Sequence, residues 1–147
     1  MAAFRGTRYW DDVQEGEELP GYSLRLDPLR IHLQTSGSQD YHRQHHDEEF
    51  AQKQGTNGIF VNTGFTQAAL GRVIFDWMGD GGFLTRFHME MRKMNRPGDT
   101  MQMKGRVVRT WQEDGDGYVE CEVWAENDRE GVTTPGRAVV RLPMKGQ

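Results

Sequence analysis

A chain of 147 residues is long enough to bury one hydrophobic core but not two, so we expect a single domain spanning residues 1–147. The net charge of −4, with no cluster of lysine and arginine, argues against nucleic acid as a partner, because nucleic-acid binding depends on clustered cations. No apolar run approaches the ~20 residues needed to span a bilayer, and the first residues lack the apolar core of a signal peptide. The only cysteine, Cys121, can form no internal disulfide, which favours a reducing compartment. We therefore expect a soluble, cytoplasmic protein without membrane contact.

Two short helices are predicted in the first half of the chain, on either side of a loop rich in histidine. Asp27 is a favourable N-cap for the first helix, Pro28 suits its first position, and Gly37 is the expected stop. After the loop, Asp47 is placed to cap the second helix, which is expected to end at Gly55.

A longer helix is predicted next, and either Asn62 or Thr63 can cap it. Two neighbouring apolar stripes run along this helix with a spacing of four residues. They are formed by Phe65, Ala69, Val73 and Trp77, and by Leu70, Ile74 and Met78. A helix that is apolar over so much of its circumference is expected to be buried.

The period of the apolar residues then changes from helical to two, which is typical of strands. Four alternating segments follow one another, separated by turn sequences such as NRPGD and EDGDG. Their apolar positions are Phe87, Met89 and Met91; Met101, Met103, Gly105 and Val107; Val119, Cys121, Val123 and Ala125; and Ala138, Val140 and Leu142. Four long strands after one buried helix predict an antiparallel sheet wrapped around that helix, which is an α+β domain.

The segment QDYHRQHHDEEFAQ, residues 39–52, contains three of the chain's five histidines. His42, His45, His46 and Asp47 carry donor atoms that suit zinc or iron, so a metal site is one interpretation. Adjacent residues of an extended loop point apart, however, so His45 and His46 are poorly placed to share one ion, and we expect no metal. An acid/base site that uses Asp40 and a solvated loop are the other two interpretations.

Several motifs occur in a characteristic order: WDDVQEGEELP near the start, the buried helix, an RPGDT turn and a closing GRAVVRLP strand. Between the first two lies the most diagnostic motif, in which Asp40 is followed five residues later by His45 and then by Asp47, Phe50 and Ala51. This order resembles the MaoC-like dehydratases, the (R)-specific enoyl-CoA hydratases of the hot-dog fold. The likeness extends from about residue 9 to residue 143, and it implies a hot-dog fold for this chain.

Two departures from the family pattern concern the surroundings of this motif. The family usually has Asn, Pro and an aliphatic residue where this chain has His42, Arg43 and Gln44, and it has His-Gly where this chain has Asn62 and Thr63. The stretch from residue 40 to residue 65 is similar to a narrower branch, the small subunits of two-component hydratases that act on steroid side-chain CoA thioesters. In that branch a second MaoC-like chain completes the enzyme.

The resemblance implies that Asp40 and His45 are the catalytic pair and hold one water between them. Water addition to a trans-2-enoyl thioester also needs donors for the enolate oxygen. A helix N-terminus offers free N–H groups, so the backbone of Thr63 or Gly64 is the expected oxyanion donor, and Asn62 is a candidate for substrate binding beside its role as a cap. Arg92, Lys93 and Arg96 could meet the phosphates of coenzyme A; a solvated strand end explains them equally well.

The resemblance further implies an acyl-CoA thioester substrate, no separate cofactor, and a partner chain. That partner is either a second copy, giving a homodimer, or a related MaoC-like chain, giving a heteromer. Two other functions stay open: an acyl-CoA thioesterase of the same fold, and a non-catalytic subunit that binds acyl chains or completes a partner's pocket.

Overall fold

The computed structural model describes residues 6–146, and its order of elements follows the predicted one with one addition at the start. The helices are α1 (Pro28–Ser38), α2 (Glu48–Lys53) and α3 (Thr63–Met78), with 3-10 turns at Trp10–Asp12 and Arg43–His45. The strands are β1 (Glu18–Arg25), β2 (Phe83–Met89), β3 (Thr100–Glu113), β4 (Asp116–Asn127) and β5 (Gly131–Leu142).

The five strands form one antiparallel sheet with the order β1-β3-β4-β5-β2. The long strands β3, β4 and β5 are joined by tight turns, and the β3–β4 turn has Asp114 and Gly115 in the left-handed region, at φ 53° and 87°. Two consecutive residues with positive φ produce the turn that matches the twist of a β-hairpin. β1 and β2 are the edge strands, so each of them leaves one side without a strand partner among residues 6–146.

Helix α3 lies across one face of the sheet and supplies the centre of the core. Asn62 caps the helix by accepting a hydrogen bond from the Phe65 N–H at 2.8 Å. Both predicted stripes are buried except at Phe65, which is half-buried. The opposite side of the helix is open, and Phe75 on that side is 53% exposed.

The strands bury the alternate residues that the period-two pattern predicts. In β4 the apolar residues between Gly117 and Asn127 face α3, while the residues between them are half-buried on the other face of the sheet. The core residues that β3, β4 and β5 contribute are all fully buried: Met101, Met103, Val107, Val119, Cys121, Val123, Ala125, Ala138, Val140 and Leu142. Burial raises the pKa of the Cys121 thiol to about 12, so this thiol stays protonated and inert.

Three details differ from the sequence-based prediction. Gly37 does not end α1, because the helix continues to Ser38 and ends at Gln39, which takes the left-handed conformation at φ 56°. Met91 lies beyond the end of β2, whose last residue is Met89. Strand β1 has no counterpart among the four strands predicted from the alternating segments.

The caps predicted for the two short helices are confirmed: Asp27 accepts from the Arg30 N–H, and Asp47 accepts from the Phe50 N–H. Within residues 6–146, no helix is both long and apolar enough to cross a membrane.

Candidate active site

The histidine-rich segment folds into a compact turn that lies between α1 and α2. Residues 43–45 form the 3-10 turn, and Asp47 holds it closed by binding the Arg43 guanidinium at 2.6 and 3.0 Å. The guanidinium also stacks over the ring of Phe50 at 4.3 Å. The motif residues Asp47 and Phe50 therefore act as a brace that shapes the turn.

Asp40 and His45 come together across this turn. The Nε2 atom of His45 lies 3.5 Å from Oδ2 of Asp40, and the imidazole is buried while the carboxylate is 41% exposed. On the other side of the ring, Nδ1 lies 2.9 Å from the backbone oxygen of Phe60. A carbonyl oxygen can only accept, so Nδ1 carries the hydrogen and the neutral ring presents the lone pair of Nε2 toward Asp40.

The segment that provides the Phe60 carbonyl is itself fixed at both ends. The Ile59 N–H donates to the Glu48 carboxylate at 3.0 Å, and the Val61 N–H donates to the Asn95 backbone oxygen at 3.1 Å. The ring of Phe60 meets the imidazole edge-to-face, with centroids 4.8 Å apart. His45 is thus held by backbone and by packing, which is the arrangement expected where a ring nitrogen must stay in one orientation.

Asp40 is held from two sides. The Asn62 side-chain amide donates to Oδ2 at 2.8 Å, and the His42 backbone N–H donates to Oδ1 at 3.4 Å. The Asn62 hydrogen bond, helped by the His42 N–H and by the imidazoles of His45 and His42, holds the pKa of Asp40 below its ordinary value despite partial burial. Asp40 is therefore a carboxylate at neutral pH.

The N-terminus of α3 lies next to this pair, because Asn62 both caps the helix and contacts Asp40. The cap takes the Phe65 N–H, and the Thr66 N–H turns to the Asn62 carbonyl at 3.2 Å. Within residues 6–146, no hydrogen bond from the backbone N–H of Thr63 or Gly64 is observed, and both residues are exposed. These two N–H groups are the donors available to an anionic ligand.

Two shallow apolar grooves meet at Gly64. One, of about 510 Å³, runs along the exposed side of α3 and includes Ala68, Gly71 and Phe75. The other, of about 500 Å³, lies between α1 and α3 and includes Leu33 and Ala68. An apolar group attached to a ligand at the α3 N-terminus can extend along either groove.

The structure thus brings five of the predicted site residues together: Asp40, His45, Asn62, Thr63 and Gly64. The Asn62 side chain makes its hydrogen bonds within the protein. It is buried, and its amide donates to Ser38 Oγ at 3.1 Å as well as to Asp40. Sequence reasoning missed the Phe60 carbonyl and the Ser38 hydroxyl. A backbone carbonyl leaves no side-chain signal, and the only hint was the apolar stretch that precedes the cap of α3.

The three basic residues proposed for coenzyme A lie on the connection between β2 and β3. Arg92 pairs with Glu90 at 2.9 Å, and Lys93 donates to the Glu130 carbonyl at 2.6 Å. Arg96 is half-buried, and its Nε atom has no hydrogen-bond partner among residues 6–146. Within that part of the chain, no hydrogen bond or ion pair joins these residues to Asp40 or His45, so their role stays a prediction.

The other two histidines of the segment make their own hydrogen bonds within the turn. The His46 ring nitrogen Nε2 contacts the Tyr41 backbone oxygen at 3.0 Å, and His42 caps the 3-10 turn by accepting from the Gln44 N–H. Among residues 6–146, no three His, Cys, Asp or Glu side chains are grouped so that they could hold a metal ion.

Comparison with known proteins identifies similar chains over most of this length. Residues 15–128 match the family model of the MaoC-like domain. The 3-oxo-4,17-pregnadiene-20-carboxyl-CoA hydratase beta subunit of Mycobacterium tuberculosis is 27% identical over 130 residues, which cover 88% of this chain and 95% of that protein.

Solved structures show the same architecture. The ChsH1-ChsH2 complex from Mycobacterium tuberculosis matches with a TM-score of 0.79 at 24% identity, covering 88% of this chain and 98% of that chain. The unliganded R-hydratase PhaJ1 from Pseudomonas aeruginosa also matches with a TM-score of 0.79, at 14% identity, covering 93% of this chain and 86% of that chain. The predicted α+β hot-dog fold is confirmed.

Proposed function

Because the chain belongs to the MaoC-like domain family, we propose that it is a hydratase that adds water to the double bond of a trans-2-enoyl-CoA thioester. The product of this reaction is the 3-hydroxyacyl-CoA, of (R) configuration in the family that the sequence resembles. The observation that carries the proposal is the Asp40–His45 pair, which lies beside the free N–H groups of an α-helix.

The pair suits the activation of one water. The lone pair of His45 Nε2 and the carboxylate of Asp40 are both acceptors 3.5 Å apart, so a water can donate one hydrogen to each. As the water oxygen attacks Cβ, Nε2 takes a proton, and the Asp40 carboxylate stabilises the resulting imidazolium. The imidazolium then gives a proton to Cα, so that one O–H bond and the Cα–Cβ π bond are broken and one C–O and one C–H bond are formed.

The negative charge that develops on the thioester oxygen needs donors that are already in place. The backbone N–H groups of Thr63 and Gly64 are our proposed donors, and the dipole of the 16-residue helix α3 adds to their effect. This assignment explains why Asn and Thr can replace the family's His-Gly here, because the donor is the backbone.

The acyl group of the proposed substrate is a lipid or steroid side chain. A relative is named as a hydratase of 3-oxo-4,17-pregnadiene-20-carboxyl-CoA, and the grooves beside Gly64 are apolar and shallow. Small residues at positions 64, 68 and 71 leave room along α3 for a bulky group.

We assign the coenzyme A phosphates to Arg92, Lys93 and Arg96. The reaction proposed here uses no metal or separate cofactor.

A partner chain completes the proposed enzyme. The relative is a beta subunit, and one structural neighbour is a complex of two different chains. In this protein both apolar grooves are open to solvent, one between α3 and the edge strand β2 and the other between α3 and α1. A second MaoC-like chain, or a second copy of this one, would close them.

The experiment that tests the function follows enoyl absorbance and free thiol together. Purified protein, alone and with a MaoC-like partner, is mixed with crotonyl-CoA or with a ring-bearing enoyl-CoA in the presence of EDTA. Loss of the enoyl absorbance without release of free coenzyme A is the expected result. Release of coenzyme A would indicate a thioesterase instead, and hydration that depends only on the partner's own acid/base pair would indicate a non-catalytic subunit.

A further inference from the structure

Asn62 contacts both halves of the proposed active site with one side chain. It is 2% exposed, and its Oδ1 accepts the Phe65 N–H that would otherwise be free in the first turn of α3. Its Nδ2 donates to Asp40 at 2.8 Å and to Ser38 at 3.1 Å. The side chain therefore bridges the helix N-terminus and the catalytic carboxylate over 22 residues of sequence.

The contact on Asp40 is made at the atom that matters for the chemistry. Asn62 donates to Oδ2, and Oδ2 is also the oxygen that lies 3.5 Å from His45 Nε2. Because Asp40 is on an exposed segment just after α1, few other groups fix its rotamer: the His42 N–H at 3.4 Å is the other hydrogen bond to the carboxylate among residues 6–146. Loss of the amide would leave the carboxylate free to turn toward solvent.

We propose that Asn62 is a positioning residue, which fixes the Asp40 carboxylate relative to His45 and to the oxyanion donors of α3 so that water activation and enolate stabilisation keep one geometry. This inference rests on the hydratase function proposed above. It assigns Asn62 no contact with the substrate. Its effect passes through Asp40.

The same hydrogen bond has an electrostatic consequence that can be measured directly. An amide donor favours the ionised form of the carboxyl it contacts, and the Asn62 bond is the largest cause of the lowered pKa of Asp40. The titratable groups that act on Asp40 are His45 and His42, whereas α1 and α3 meet it with the uncharged Ser38 and Asn62. Removing the amide should therefore raise the pKa of Asp40.

Two substitutions separate the bridging role from helix capping. Asn62→Ser keeps a good N-cap residue, but its hydroxyl is too short to reach Asp40 while it caps the helix. Asn62→Asp keeps both the shape and the cap but places a second carboxylate against Asp40, which should raise the pKa of Asp40 further than the serine does.

Asn127→Ser is the matched control. Asn127 is also buried, its Oδ1 also accepts an N–H three residues later (Glu130, at 2.8 Å), and its amide also approaches a carboxylate, that of Asp99, at 3.3 Å. Its substitution should cost comparable stability without acting on Asp40.

Two readouts are compared in folded protein: the NMR titration of the Asp40 carboxyl, and the pH profile of kcat and KM with the partner present. In Asn62→Ser we expect Asp40 to titrate at higher pH, and kcat to fall about 10-fold with KM little changed, as for a displaced catalytic group. The acidic limb of kcat should move to higher pH, and further in Asn62→Asp.

The proposal is overturned if the Asp40 pKa and the pH profile of kcat in both Asn62 variants are the same as in the wild type. It is also overturned if Asn127→Ser shifts the Asp40 titration as much as Asn62→Ser does. If Asn62→Ser does not fold, Asn62→Asp decides alone. The titration needs no turnover, so an inactive wild-type protein would count against the proposed function while the Asp40 shift still tests the bridge.

Discussion

The tautomer of His45 is the residue-scale feature on which the proposed chemistry depends. A backbone carbonyl is a fixed acceptor, so the 2.9 Å contact with Phe60 determines which ring nitrogen carries the hydrogen in the neutral form. The lone pair of Nε2 is then directed at Asp40 and not at solvent. Asp40 keeps its negative charge because its hydrogen bonds favour the carboxylate.

Loss of either member of the pair should abolish most of the hydration activity. Asp40→Asn removes the negative charge beside Nε2, and His45→Gln removes the base, so each variant should lower kcat by ~10²-fold or more. The measurement is loss of enoyl absorbance at neutral pH with the partner chain present, together with a circular dichroism spectrum that shows an intact fold.

His46→Ala is the control for this pair, because His46 is adjacent in sequence but contacts the Tyr41 carbonyl on the outside of the turn. We expect it to keep most of the activity. A near-wild-type rate for Asp40→Asn or His45→Gln would contradict the assignment of the pair.

At this scale the sequence could predict that Asp40 and His45 form one site, and the structure brings them together, but it could not predict what holds them. The resemblance to the family motif implies the pair of Asp40 and His45, and the position of Asp47 before an acidic helical turn predicts its role as a cap. The Phe60 carbonyl is 15 residues from His45 and the Asn62 amide is 22 residues from Asp40. Such contacts depend on how α1, the turn and α3 pack, which no local pattern encodes.

Helix α1 illustrates how a local signal is overridden at the scale of an element. A glycine near the end of a helix usually marks its stop, yet Gly37 stays helical and the left-handed residue is Gln39. Strand β1 was missed for a related reason. Its sequence contains Pro20 and Gly21, and Leu19 is its only buried residue, so the period-two signal is weak.

Gly37→Ala should stabilise the protein, since a Cβ added at Gly37 meets no atom within 4 Å and the backbone is helical. The expected gain in the free energy of unfolding is about 0.5–1 kcal/mol. Gly55→Ala is the control: this site is equally open, but its φ of +82° is unfavourable for alanine, so it should lose stability. Urea denaturation of both variants measures the difference, and equal signs for the two would contradict this explanation.

The turn before β3 is held by a single half-buried carboxylate, Asp99. It accepts from the Arg129 guanidinium at 2.8 and 3.1 Å and from the Arg96 N–H at 2.8 Å, and its side chain is 9% exposed. Burial by itself would raise the pKa of Asp99, but the bonds from Arg129 and Arg96 outweigh it and lower the pKa.

Asp99→Asn should therefore cost about 2 kcal/mol at neutral pH, the typical contribution of hydrogen bonds to a charged group. Because the folded-state pKa of Asp99 is lower than the unfolded one, the stabilisation is present above an unfolded pKa of about 3.9 and is lost as the pH falls through the folded value. Urea denaturation of wild type and variant from pH 7 down to about pH 2 checks this, and a difference that does not shrink below the unfolded pKa would contradict it.

At the scale of the whole molecule, exposed apolar side chains lie on the open side of α3 and on α1, and unpaired backbone groups lie along the two edge strands. Phe75 is 53% exposed, and Leu29 and Leu33 on α1 are 66% and 63% exposed. β2 and β1 each leave a row of backbone groups that could pair with another chain. The sequence predicted a helix that is apolar over much of its circumference, and the structure leaves one side of it uncovered beside the proposed active site.

We therefore predict that this chain is not a functional monomer. Light scattering of the pure chain, and of the chain co-expressed with a MaoC-like partner, should show an assembly larger than the 16.9 kDa monomer. Phe75→Lys should weaken that assembly and the activity together, because it places a charge in the apolar groove, whereas Val132→Lys, at a site 46% exposed in β5, should not. Stable interfaces bury about 1,600 Å², but a few central residues carry most of the binding energy. Loss of one central aromatic contact should therefore shift the dissociation constant by about 10-fold or more. A stable monomer that hydrates enoyl-CoA at full rate would refute the prediction. Equal effects of the two lysine variants would contradict the location of the interface at α3.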